Sequence, residues 1–316
     1  MPKKALYPDD ILRMAATLYY EDGLGQSEVA QFVRVSQTKI SRLLAAALDR
    51  GIVRISVEQY QARHEQLEHR LRERFGLTAA AVIKTAPNTT RESARQIVGH
   101  FGAPFVAALL PATGVLALGG GRSTADVIHR FRRGTVHRLT IVQAMGSIDS
   151  NISAVDALEL GRAIVKLWGG EFVTLSTPAF VADKKTRDFF LASSQIRTVW
   201  QRLRNADAAL VGVGPLENSV YLERGVLHAS DVTSLREAGA VGEICGRFYD
   251  AKGRECRSRW RDRAISVELS MLQKIPQVIG VAAGADRALP VAAALRGGLL
   301  KSLLIDDRGA EALLAL

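Results

Sequence analysis

Residues 116–128 read LALGGGRSTADVI: an apolar run, three glycines, then Arg122, Ser123 and Thr124 at the head of a helical stretch. An apolar run closed by glycine predicts a buried strand, and the helical stretch behind it completes a strand–turn–helix unit. Backbone N–H groups at a helix start attract anions, and an arginine with two hydroxyls adds charge and donors, so the segment suits a phosphate. It matches neither the Walker pattern nor the dinucleotide fingerprint. Taken alone, it also fits a tight turn that needs only small residues. GVAAGADRALPVAAALRGG (280–298) repeats the arrangement: a strand, Gly284, then Asp286 and Arg287 at a helix start. Two anion-friendly turns in one domain favour a phosphorylated ligand more than either does alone.

Working outward, GVLALGG (114–120), LTIVQAM (139–145), GEFVTLS (170–176), AALVGVG (208–214), IPQVIGVAAG (275–284) and LKSLLIDD (300–307) read as buried strands. Helical stretches at 123–132, 153–168, 184–204 and 286–296 lie between them. This alternation predicts an α/β domain on a largely parallel sheet. Ligands of such sheets collect beyond the carboxyl ends of strands, where glycines let the backbone approach them. Gly119, Gly121, Gly146, Gly214 and Gly284 are the candidates for that role.

The first sixty residues carry a different pattern. Ile11, Leu12, Ala15, Leu18 and Tyr19 recur at helical spacing behind Asp9 and Asp10, and Gly23 closes that helix. Gln26 or Ser27 opens a second helix whose inner face is read as Val29, Ala30, Phe32 and Val33. A tight turn follows at Arg34-Val35, and Ser36 can cap a third helix with Ile40, Leu43, Leu44 and Ala47 on its apolar face. Gln37, Thr38, Lys39, Ser41 and Arg42 then cluster near its N-terminus, mostly free to face outwards. A recognition helix needs that arrangement, because its N-terminal residues must reach base edges in the major groove. With Gln26 and Ser36 they form the candidate DNA-binding set. IVRISVE (52–58) alternates like a short strand or wing. A three-helix module that binds no DNA is the plainer alternative.

Residues 61–75, QARHEQLEHRLRERF, have strong helical propensity, with Leu67, Leu71 and Phe75 on one stripe. A helix joining two DNA readers and an ordinary amphipathic helix packed on its own domain both fit. The expected organisation is a winged helix-turn-helix domain over 1–57, a linker helix over 58–76 and an effector domain over 77–316.

The bulk numbers agree with two domains: 316 residues, 47% hydrophobic and 23% charged. No apolar run reaches the length of a membrane span, and the start MPKKALYPDD lacks the apolar core of a secretory signal. Two cysteines, Cys245 and Cys256, cannot build a disulfide framework or a zinc site, and the expected compartment is the cytoplasm. A net charge of +10 raises the prospect of a polyanionic partner. Residues 1–60 hold eight Lys/Arg against seven Asp/Glu, and residues 61–140 hold twelve against five, so the excess does not mark the DNA reader.

Here a family resemblance becomes specific. LYYEDGLGQSEVAQFVRVSQTKISRLLAAALDRGIVRISV (18–57) resembles the N-terminal domain of SorC/DeoR-type sugar-responsive regulators. GRST, IVQAMGS, STPAF, ALVGVGPL, AGAVGEICGRFYDAKG and GVAAGADRALPVAAALRGG match the effector-domain pattern of that family in order. The resemblance implies an effector domain of the ribose-5-phosphate isomerase / glucosamine-6-phosphate deaminase-like type and a sugar or sugar-phosphate effector. It also implies double-stranded operator DNA as partner and a homo-oligomer, dimer or tetramer; no cofactor is expected. By position, Gly121, Arg122, Ser123 and Thr124 resemble the phosphate-holding loop, Gln143 and Glu243 the groups that meet sugar hydroxyls, and Arg287 a phosphate-facing cation. Four departures stand out. Arg34 occupies a turn position usually held by glycine: it makes a phosphate contact or shows that the turn avoids positive φ. Ser123 replaces Thr, Glu243 replaces Asp, and Arg287 replaces Lys, which argues against imine chemistry there and keeps anion binding.

Six histidines invite a metal reading, but His64 and His69 are five apart on the linker, and His100, His129, His137 and His228 are scattered without a motif. RECRSRWRDR (254–263) is basic enough to suggest nucleic acid but reads more simply as an edge strand with a solvated face. An enzyme is the runner-up function, with Glu243 as the one nameable base; a ligand-independent DNA-binding scaffold is the third. An isomerase has no use for a helix-turn-helix, which separates the first two.

Overall fold

The computed structural model describes residues 7–58, 60–133 and 138–316. The first six residues and His137 lie outside them. Two compact units emerge, Met1–Tyr60 and Gln61–Leu316, each with its own apolar core.

In the smaller unit, helix α1 (Asp9–Ala16) runs into a π turn over Thr17–Glu21, followed by α2 (Gln26–Val33) and α3 (Gln37–Asp49). Leu12 and Ala15, Val29 and Ala30, and Ile40, Leu43, Leu44 and Ala47 close the core. Phe32 lies well off the face shared by Val29, Ala30 and Val33 and is 70% exposed, which corrects its assignment to the inner face. The turn after α2 does use positive φ. Arg34 sits at φ 54°, ψ 49°. The Arg34 N–H donates to the Gln31 carbonyl and that of Val35 to the Ala30 carbonyl, the paired bonds of a left-handed helix cap. Ser36 Oγ then accepts from the Lys39 N–H at 3.3 Å and starts α3.

The smaller unit shows no wing among its described residues. Among the described residues it holds no strand, and residues 54–58 are extended and exposed, with Ile55 at 59% and Val57 at 80%. The alternation is present, but no neighbouring strand takes its backbone groups, and a lone strand is not stable.

The larger unit is built on a seven-stranded, wholly parallel sheet. In chain order its strands are β1 (Ala79–Ile83), β2 (Thr113–Leu118), β3 (Arg138–Gln143), β4 (Glu171–Val173), β5 (Ala208–Gly212), β8 (Gln277–Val281) and β9 (Ser302–Asp306); spatially they run β1-β9-β8-β5-β2-β3-β4. A separate antiparallel hairpin is made by β6 (Ala240–Ile244) and β7 (Arg247–Asp250). Helices cover both faces, so successive strand residues enter opposite cores: Ala80 and Val82 one, Ala81 and Ile83 the other. That double burial is why the strands read as continuous apolar runs.

Some segments depart from expectation. Helix 184–204 is two helices, Lys184–Ala192 and Ser194–Arg204, because Ser193 leaves helical geometry to cap the second. The run 254–263 is no edge strand. Trp260 needs burial, so a short helix, Arg259–Arg263, turns its ring inwards to 4% exposure. The linker helix begins late, as α4 (Glu65–Phe75), with Leu67 and Leu71 buried in the larger core. Residues just before it pair with the sheet edge: His64 N–H donates to the Val82 carbonyl and Lys84 N–H to the Ala62 carbonyl. Buried Glu68 locks this start by accepting from the Val82 N–H at 3.0 Å and from Arg63 at 2.6 Å.

Candidate functional site

A cavity of about 410 Å³ opens beyond the carboxyl ends of four adjacent strands, β8, β5, β2 and β3. Each strand delivers a short turn to its wall. β2 ends in the glycine turn, where Gly121 has φ 133° and donates its N–H to the Val155 carbonyl at 2.8 Å. Only glycine takes that conformation without strain. The helix Arg122–Ile128 starts there, and its first two residues, Arg122 and Ser123, line the cavity.

Four arginines from three distant segments line the cavity, and one of them, Arg95, is paired with Asp126 at 2.5 Å. Arg91 is the first residue of the helix Arg91–Leu109, Arg122 opens the helix after β2, and Arg287 closes the short turn Ala285–Arg287 after β8. Asp286 holds two of them, with its carboxylate 3.3 Å from Arg91 and 3.5 Å from Arg287. Arg122 contacts Glu223 at 2.6 Å and donates to the Asn218 carbonyl at 2.7 Å. Burial, followed by repulsion from Arg122 and Arg91, holds the Arg287 guanidinium below its ordinary pKa, although Asp286 and Glu243 pull it up. An entering anion relieves that repulsion.

The polar groups between these cations suit hydroxyls. Glu243 lies on β6, and its Oε2 accepts from the Gly246 N–H at 3.0 Å. Burial pushes its carboxyl up to about 7, against the pull of that bond and of Arg287. Gln143, at the end of β3, donates to the Met145 carbonyl at 2.7 Å and accepts from the Leu175 N–H at 3.1 Å. One amide hydrogen is left to offer a ligand. Arg224 ties Asp149 at 2.5 Å and Asp156 at 2.6 Å, and both aspartates line the cavity. Burial pushes the Cys245 thiol up to about 12, so no thiolate nucleophile is present there.

Of the residues singled out from sequence, Gly121, Arg122, Ser123, Gln143, Gly146, Gly214, Glu243 and Arg287 line this cavity together. Three do not. Thr124 is fully buried and its hydroxyl donates to the Gly121 carbonyl, so it shapes the turn from beneath. Gly119 packs under the Cys245 sulfur, and Gly284 donates its N–H to buried Asp306 at 2.7 Å. Sequence reasoning missed Arg91, Asp149, Asp156, Asn218 and Tyr221. Arg91 had a usable signal, since Thr90 caps its helix by accepting from the Ser93 N–H and PNTTRES is a turn followed by a cap. In the smaller unit Ser36, Gln37, Thr38, Lys39, Ser41 and Arg42 are all exposed, and Gln26 is half-buried at the start of α2.

Among the described residues no group of three His, Cys, Asp or Glu side chains is arranged to hold a metal ion, and no helix is long and apolar enough to cross a membrane.

Comparison with known proteins gives consistent findings. A family model described as "Putative sugar-binding domain" matches residues 60–315. The chain is 27% identical to the transcriptional regulator LsrR of Klebsiella pneumoniae, over 99% of this chain and 95% of that protein. It is 26% identical to the erythritol catabolism regulatory protein EryD of Brucella abortus, over 97% of this chain and 96% of that one. Among solved structures, the full-length sorbitol operon regulator SorC of Klebsiella pneumoniae matches with a TM-score of 0.78 at 24% identity, covering 98% of this chain and 100% of that one, a likeness of fold.

Proposed function

The chain belongs to the sugar-binding domain family of SorC/DeoR-type transcriptional regulators, and on that premise we propose that it binds operator DNA under the control of a phosphorylated sugar. The observation that carries the reading is the convergence of Arg91, Arg122 and Arg287 on one cavity beyond the ends of parallel strands. A phosphate supplies the charge and the acceptor oxygens that these arginines call for. The polyol then meets Glu243, Gln143 and Ser123.

In this reading residues 1–57 are a helix-turn-helix domain, 58–76 the connection, and 77–316 an effector domain of the ribose-5-phosphate isomerase / glucosamine-6-phosphate deaminase-like type. Exposed Gln37, Thr38, Lys39, Ser41 and Arg42 on α3 enter the major groove, and the capped turn at Arg34–Ser36 sets the angle between α2 and α3. The protein works in the cytoplasm as a dimer or tetramer, so the operator is palindromic or repeated. The effector acts by binding one arrangement of the assembly better than another, since only differential affinity shifts such a balance.

The test is to select duplexes from a random library with the full chain, then titrate the selected duplex with and without a panel of sugar phosphates. The expected result is a change of operator affinity with one phosphorylated sugar, absent in Arg122→Ala. Operator affinity indifferent to every sugar phosphate would count against the proposal.

A further inference from the structure

Arg122 already has an anion. Its Nη1 lies 2.6 Å from Glu223 Oε1, and its Nη2 donates to the Asn218 carbonyl at 2.7 Å. Both partners come from one anchored segment. Asn218 takes a left-handed φ of 56°, Ser219 caps the short helix Val220–Glu223, and buried Tyr221 sets its hydroxyl against the Met145 sulfur at 3.2 Å. The fold therefore delivers Glu223 to Arg122, and the next residue, Arg224, fixes the segment to Asp149 and Asp156 of the stretch after β3.

We propose that Glu223 is a specificity-determining residue: an internal competitor that occupies Arg122 and that the effector's phosphate must displace. This rests on the sugar-phosphate reading of the cavity and deepens it. A neutral hydroxyl offers a guanidinium a weaker bond than the carboxylate already there, because charge-assisted hydrogen bonds are about twice as strong as neutral ones. An unphosphorylated sugar thus gains nothing by reaching Arg122. A phosphate brings more charge and three acceptor oxygens, and it is also drawn by Arg91 and Arg287, which share the one Asp286 carboxylate. Selectivity then comes from a penalty on the wrong ligand as much as from attraction to the right one. The Glu223 side chain is 50% exposed, so its carboxylate has water to move into when displaced.

The test measures thermal stabilisation of the full chain by inorganic phosphate at constant ionic strength, in the wild type and in Glu223→Gln, Glu223→Ala and Arg122→Ala. Both Glu223 variants should reach a given stabilisation at about fivefold lower phosphate than the wild type, the equivalent of the roughly 1 kcal/mol upper value of an exposed ion pair. Arg122→Ala should show no stabilisation. If the wild type responds, Arg122→Ala does not, and the Glu223 variants need as much phosphate as the wild type or more, Glu223 is no competitor while the phosphate reading stands. If Arg122→Ala responds like the wild type, or no variant responds at all, the phosphate reading fails and this inference with it.

Discussion

Gly214 and Glu243 face each other across a single antiparallel bridge, where each donates its N–H to the other's carbonyl, at 3.1 and 2.9 Å. Glu243 folds its carboxylate over the face of Gly214 that any other residue would fill with a Cβ. The bridge joins the turn after β5 to the β6–β7 hairpin, so a backbone contact sets where the acidic group stands in the cavity. Gly214→Ala should push that carboxylate aside. We expect a stability loss of roughly 1–3 kcal/mol from overpacking, together with a weakened effector response. Denaturant unfolding with and without the stabilising sugar phosphate measures both. A variant with wild-type stability and response would show that the approach of the two residues is slack.

The raised pKa of Glu243 has a definite sign. Its carboxyl moves from 4.5 in the unfolded chain to about 7 in the fold, because burial disfavours the charged form. Between those values the folded state holds more protons than the unfolded one, so stability falls as pH rises through that window and levels off above it. Glu243→Gln removes this dependence. Its stability relative to the wild type should grow from pH 4.5 to 7, to at most about 3 kcal/mol, and stay constant beyond. Parallel stability curves for the two proteins would contradict the assignment.

Arg34 holds the left-handed cap of α2 at φ 54°, where a Cβ costs roughly 1 kcal/mol. Arg34→Gly should therefore stabilise the smaller unit by about that amount, read as a higher unfolding midpoint. If operator affinity drops at the same time, the arginine contacts a phosphate as well; lower stability would contradict the strain argument.

Exposed Arg42 on α3 is the sharpest probe of the DNA reader. Arg42→Ala should lower operator affinity by about 1–3 kcal/mol if it reads a base, and should leave stabilisation by the effector unchanged. Anisotropy titrations at two salt concentrations separate a base contact from a phosphate contact, since only the latter reduces the salt slope. Unchanged operator affinity would remove α3 as the recognition helix.

These outcomes also mark what the sequence could carry. Strand ends are punctuated locally by glycine after an apolar run, so Gly121, Arg122, Gly214 and Arg287 could be found by reading along the chain, and the parallel sheet then gathers them. Thr124 and Gly284 share that punctuation but face the protein, because a turn has an inner side that spacing does not reveal. Asp149, Asp156 and Glu223 were illegible because their roles depend on Arg224 and Arg122, partners 68 to 101 residues away. The wing failed for a related reason. Residues 52–58 alternate like a strand, but strands exist only in pairs, and no partner segment is present in the smaller unit among the described residues.

The most direct test of the central claim is thermal stabilisation of the full chain across a panel of sugars and their phosphates, run in parallel on Arg287→Ala. A ligand that binds only the folded state raises the melting temperature by mass action. One phosphorylated sugar should stabilise the wild type, its unphosphorylated form should do nothing, and the variant should lose the response. Equal stabilisation by the free sugar, or a response that survives in Arg287→Ala, would contradict a phosphate held by the arginines of this cavity.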